Sequence, residues 1–139
     1  MAGYIDATDE NGRLVFGRGI EGPVVMLNLL RFAEIADYSA FPELAPRESI
    51  SGAGAYRRYM AHTTPFLHAA GGSVRFIGEG GHPLIGPTDE RWDLVLLVNY
   101  PELGRLVAMS GNADYLAGIG HRTAALEDSR LVPLVAIGD

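Results

Sequence analysis

Two short blocks constrain this chain more than any other feature. Residues 24–30 (VVMLNLL) and 94–98 (LVLLV) are apolar at odd and even positions alike, broken only by Asn28. Successive side chains of a strand point to opposite faces, so each block reads as a central strand, apolar on both sides of its sheet. Such a sheet needs a cover on each face. The rest of the chain must supply both covers, or a second molecule must supply one.

The remaining segments order themselves around these blocks. Gly22–Pro23 punctuates the chain before the first. Ser51 caps a predicted helix to about Ala70, stopped by Gly71–Gly72. Tyr56, Tyr59, Met60, Thr63, Leu67 and Ala70 share one face of it, and Arg57, Arg58, Ala61 and His68 point away. Pro65 lies on the outer face and predicts a kink. Residues 73–77 form a second strand, 78–87 a glycine-rich connection, and 92–100 a third strand. Pro101 opens a helix carrying Leu103, Leu106, Val107 and Met109 that breaks near Gly111. A second helical piece follows, with Tyr115, Ile119, Arg122 and Leu126 on one stripe. Residues 130–137 complete the set as a strand, at an edge because of Pro133. Residues 33–50 read as a loop whose tip is a candidate lid. Residues 4–21 stay open between a hairpin turning at Asn11–Gly12 and a helix starting at Thr8 with Asp9 and Glu10 in its first turn. The division is an N-terminal extension, 1–22, and one domain, 23–139.

The order β-α-β-β-α-β is the split βαβ pattern. It predicts an α+β, ferredoxin-like fold, with one antiparallel four-strand sheet and both helices on one face. Two helices cover only one of two apolar faces. Pairing two sheets face to face removes the exposed patch, so a homodimer is expected.

Composition narrows the chemistry. The 139 residues hold 47% hydrophobic side chains, enough for one core. With no cysteine, thiolate catalysis, zinc ribbons and iron–sulfur ligation are excluded. All 11 cationic residues are arginine, which excludes a lysine Schiff base. The net charge of −6 opposes nucleic-acid binding. No apolar run reaches the ~18 residues of a membrane span, and the acidic Asp6, Asp9 and Glu10 do not suit a signal peptide. A cytoplasmic protein is expected.

Four blocks carry a resemblance: VVMLNLLRF (24–32), SGAGAYRRYM (51–60), ERWDLVLLVNYP (90–101) and ADYLAGIGHRTAALEDSRLVP (113–133). In this order they resemble the bacterial domain of unknown function 1330 family, of the dimeric α/β-barrel superfamily. The resemblance covers nearly the whole chain from about residue 22. It implies the ferredoxin-like fold, the dimer and a helical N-terminal segment. It implies no reaction and no cofactor.

The candidate site residues follow from chemistry. Asn28 is a lone amide in an apolar strand and must find partners. Tyr56, Tyr59 and Thr63 lie on the helix face over the sheet, where they are either core or the lining of a ligand cavity shared with Asn28. Trp92 could wall that cavity. Arg31 and Arg91 sit at strand ends, where a guanidinium binds an anion or pairs with a neighbouring acid. Arg122, on an apolar stripe, is either snorkelling or an anion anchor. Among His62, His68, His82 and His121 no HxxxH or HExxH spacing occurs, so no metal site is expected. His121 and His62 are the general-base candidates. GEGGHPLIGP (78–87) is no phosphate loop, and no GxSxG elbow occurs. Three functions compete. The first is a cofactor-free site for a small organic or aromatic anion, performing proton transfer, isomerisation or monooxygenation if catalytic. The second is a non-catalytic dimeric binding or assembly module. The third is haem binding through His62 or His121.

Overall fold

A computed structural model describes residues 3–138. The N-terminal segment is helical: α1 spans Asp9–Phe16, capped by the Thr8 hydroxyl, which accepts from Asn11 N at 3.2 Å. Strand β1, Val24–Phe32, follows. The loop after it contains one 3-10 turn at Pro42–Leu44 and leads to α2, Gly52–Ala69, whose cap Ser51 accepts from Gly54 N. Strands β2, Ser73–Gly81, and β3, Trp92–Tyr100, form a hairpin. Three short helices follow: α3, Leu103–Ser110; α4, Ala113–Leu116; and α5, Ile119–Ala125. Strand β4, Leu126–Leu134, closes the sheet.

The sheet order is β2-β3-β1-β4, with every neighbouring pair antiparallel. This is the ferredoxin-like arrangement, with both apolar blocks in the centre. Register separates the faces. Val24, Met26 and Leu30 sit opposite Tyr100, Val98 and Leu94 beneath the helices. Val25, Leu27 and Leu29, opposite Asn99, Leu97 and Val95, form the uncovered face with Val132 and Leu134 of β4. The core lies on the helix side only, in two clusters. One gathers Leu30, Tyr56, Leu96 and Leu126, and the other Val24, Met26, Tyr100 and Tyr115.

Three expectations on element bounds need correction. β2 runs to Gly81, so Gly78, Gly80 and Gly81 are strand rather than connection. A side chain at Gly80 would collide with the Trp92 carbonyl, so close pairing requires the glycine there. The second helical piece is split into α4 and α5, and Leu126 is the first residue of β4 instead of the end of a helical stripe. β4 therefore begins four residues earlier than Arg130. On α3, Val107 is exposed while Leu103 and Met109 are buried.

The segment before α1 lies along the start of β4. Tyr4 N donates to Asp128 Oδ1, and Ser129 Oγ donates to the Tyr4 carbonyl. A side chain at Gly3 would overlap the Glu127 carbonyl, so glycine alone fits this approach.

Candidate functional site

The sequence-predicted residues fall into three groups. The first is interior. Tyr56, Tyr59 and Thr63 face the sheet from α2, because residues three and four apart on a helix share a face. Tyr59 Oη lies 2.7 Å from Tyr115 Oη, so the two hydroxyls satisfy each other. The rings continue into a chain: Phe32 to Tyr56 at 5.6 Å, Tyr56 to Tyr59 at 5.3 Å, Tyr59 to Tyr115 at 6.2 Å. Burial pushes the Tyr56 and Tyr115 hydroxyls well above the usual phenol range and Tyr100 up to about 12. These hydroxyls stay protonated at neutral pH. Asn28 Nδ2 donates to the Met26 carbonyl at 3.2 Å, a bond within its own strand. Thr63 Oγ1 is buried with no hydrogen-bond partner. Arg122 lies close enough to draw the Tyr56 and Tyr115 hydroxyls slightly back down. Its own bonds go to the Ile5 carbonyl at 2.6 Å and to Ser129 Oγ at 3.4 Å, so it ties down the N-terminal segment.

The second group sits where α2 meets α5. His121 Nδ1 lies 2.7 Å from Tyr38 Oη. Burial lowers the His121 pKa below its ordinary value, and the charges of Arg58 and His62 lower it further. The imidazole is therefore neutral at pH 7. Burial raises the Tyr38 hydroxyl, and Arg58 partly opposes this. His62 Nε2 lies 2.9 Å from the Asp114 carbonyl and 3.1 Å from that of Tyr115. Both are acceptors, so Nε2 carries a proton and is not free to ligate a haem iron. The ring fits there because residue 118 is glycine; a side chain would fall inside the imidazole.

The third group is a rim at the end of the strands. Arg31 Nε donates to Glu127 Oε2 at 2.9 Å, and Arg91 Nε to Asp93 Oδ1 at 2.8 Å. Trp92 belongs here, away from Asn28. Its Nε1 donates to Glu90 Oε1 at 3.2 Å, and the Arg130 guanidinium stacks 5.2 Å from its ring. A shallow concavity of about 240 Å³ opens among Arg31, Arg91, Arg130 and Asp89, Glu90, Asp128. A second, more open one lies on α1 beside Arg13 and Phe16. Neither lies beneath α2. Among the described residues, no three acidic or histidine side chains gather as a metal site.

Sequence reasoning missed Tyr38 and Arg58. Arg58 and His62 are spaced i, i+4 on one flank of α2, a signal that was present. Tyr38 lies in an irregular loop 83 residues from His121, and no local pattern links them.

No protein-family model matches the chain, and neither does any curated protein. Among solved structures it is similar to the protein RPA0582 of Rhodopseudomonas palustris, described as of unknown function. The likeness has 36% identity and a TM-score of 0.83, over 99% of both chains. A crystal structure of methylated RPA0582 gives a TM-score of 0.86 at 36% identity, over 99% of this chain and 98% of that one. A weaker likeness is to a dimeric ferredoxin-like protein of unknown function from Bacteroides fragilis. It has a TM-score of 0.47 at 13% identity, over 81% of this chain and 94% of that one.

Proposed function

This chain belongs to the family of the Rhodopseudomonas palustris protein RPA0582, and from that premise and the geometry above we propose that it is a homodimer that binds a small organic anion where His121, Tyr38 and Arg58 meet. RPA0582 is of unknown function, so the family passes on a fold and no reaction. The observation that carries the proposal is the 2.7 Å contact between Tyr38 Oη and His121 Nδ1 on a half-buried imidazole. If Nδ1–H donates to Tyr38, Nε2 is left with a free lone pair. A neutral imidazole held by a second group is the arrangement of a general base. The charge of Arg58, on the exposed flank of α2, is felt by both His121 and Tyr38, and in this proposal it is the countercharge for a carboxylate. The chemistry is proton transfer: the imidazole takes a proton from a carbon next to a ketone or thioester-type carbonyl of the bound anion, leaving the charge on the enolate oxygen, and returns it to the same carbon or, where the enolate is conjugated with a double bond, to the far end of that system. Isomerisation follows from the second outcome, and cofactor-free oxygenation is the finer alternative.

The test combines binding and exchange. A panel of small aliphatic and aromatic carboxylates is screened by thermal shift, and the hits are followed in D₂O by proton NMR. The expected result is a ligand whose carbon-bound proton exchanges with wild-type protein. Exchange falls about 100-fold or more in His121→Gln, and binding weakens about 10-fold in Arg58→Ala. A panel that yields no stabilising ligand, or His121→Gln protein that exchanges at the wild-type rate, sinks the proposal.

A second reading is a non-catalytic dimeric module. It is favoured by the bond of Asn28 Nδ2 to its own strand and by the Tyr59–Tyr115 pair, both made without a ligand. Membership of the domain of unknown function 1330 family rests on the four sequence blocks and is part of the proposal. So is a cytoplasmic location, which the absence of cysteine suits. Among the described residues no helix is long and apolar enough to cross a membrane.

A further inference from the structure

Among the described residues, three large apolar side chains are far more exposed than any other. Leu84, Ile85 and Ile137 are all at least 93% exposed, while the next, Leu14, is at 67%. The register places them at two corners of the sheet. Gly81 pairs with Trp92 at one end of the hairpin, so Leu84 and Ile85 cap that end of edge strand β2. Leu134 pairs with Val25 at the other end of the sheet, on the opposite edge strand, and Val135 and Ile137 continue from it. The two exposed sets therefore stand at diagonally opposite corners of the sheet.

The hairpin tip is built rather than loose. His82 Nδ1–H donates to the Glu90 carbonyl at 3.0 Å, Glu90 N bonds the Pro87 carbonyl, and Trp92 Nε1 holds the Glu90 carboxylate. Pro83 and Pro87 stiffen it, and a side chain at Gly86 would collide with Pro83. A fixed turn that presents two adjacent aliphatic side chains to water has already lost the entropy a docking element must lose.

We propose that each copy in the dimer seats Leu84 and Ile85 on the C-terminal tail of the other copy, at Val135 and Ile137. The inference rests on the dimer reading above and adds its geometry. In a two-fold dimer, if one residue meets a second across the interface, the second meets the first in return. An axis lying between the two sheets, perpendicular to the line joining the two corners, sets both tips on both tails in one closed arrangement. The competing axis, along that line, stacks tip on tip. It would bring together Asp89 and Glu90 of both copies, and like charges oppose it. The tail is instead flanked by exposed Arg18, whose guanidinium rests 2.8 Å from the Pro133 carbonyl.

The absence of native cysteine makes the test clean. Ile85→Cys and Ile137→Cys are made singly and together, all at exposed positions, and treated with a short bis-maleimide. Within one chain the corners lie roughly 30 Å apart, the length of a nine-residue strand, so a short linker joins them only between copies. The expected result is covalent dimer from the double variant and from co-expressed single variants, with little from either single variant alone. Dimer from Ile85→Cys alone supports the tip-to-tip axis and overturns the proposal. A non-covalent dimer by light scattering that yields no 85–137 product also overturns it. A monomer by light scattering fails the dimer reading itself, which separates the two failures.

Discussion

At the scale of single residues, the cluster where α2 meets α5 depends on what is missing from position 118. The His62 ring occupies the space where a Cβ would stand, and its Nε2–H reaches two carbonyls at the α4–α5 break. Gly118→Ala should expel the ring, strand two acceptors and destabilise the fold by about 1–3 kcal/mol. Urea unfolding measures this. The double variant Gly118→Ala/His62→Ala should cost less than the two single changes added together, because the clash is then gone; strict additivity would show that the ring and the glycine are independent. Legibility at this scale was uneven. Asn28 was conspicuous as the polar interruption of an apolar run, but its partner, the Met26 carbonyl of the same strand, was not. Strand alternation places Trp92 with Asn28, yet contacts with Glu90 and Arg130 draw it to the rim. Alternation assigns a face only while the ladder is regular. The regular β1–β3 pairing ends at Leu30–Leu94, before Trp92 is reached.

At the scale of elements, periodicity read the long segments well because burial enforces it. Every buried side chain of α2 past its first turn falls on the expected face. The helix also runs unbroken through Pro65, which is exposed. Proline lacks an N–H, so the Ala61 carbonyl four residues earlier loses its helical donor. Pro65→Ala should restore that bond and raise stability by about 1–2 kcal/mol, after allowing for the proline's stiffening of the unfolded chain. A thermal melt checks it; an unchanged or lower Tm would show that the proline shapes the last turns for another purpose. The glycine-rich end of β2 was illegible because strand preference reports side-chain packing, and glycine has none to report. The loop carrying Tyr38 is illegible for a different reason: the Tyr38–His121 contact joins distant segments, and neither carries a local signature of the other.

At the scale of the whole molecule, two central strands that are apolar on both sides foretold a one-sided core. The helix side is filled by two clusters, while Val25, Leu27 and Leu29 face outward with Val95 and Leu97 opposite or near them. Leu27→Asp places a charge in the middle of that face. It should convert a dimer to a monomer in light scattering with the circular dichroism unchanged, and a dimer that persists at micromolar concentration would place the interface elsewhere. The N-terminal segment bears on the same question from the sheet's edge. Its hold on Asp128 and Ser129 lays backbone and side chain across the start of β4, so that part of the edge is obstructed to an incoming strand, whereas no such clasp lies on β2 among the described residues. A sheet open along both edges can be extended from either side without limit, as in a fibre. A sheet obstructed on one side can accept a neighbour only on the other, and growth stops at that step. Deleting the clasp at Tyr4 should therefore uncover the start of β4 as a second pairing edge, and static light scattering would read the result as increased self-association.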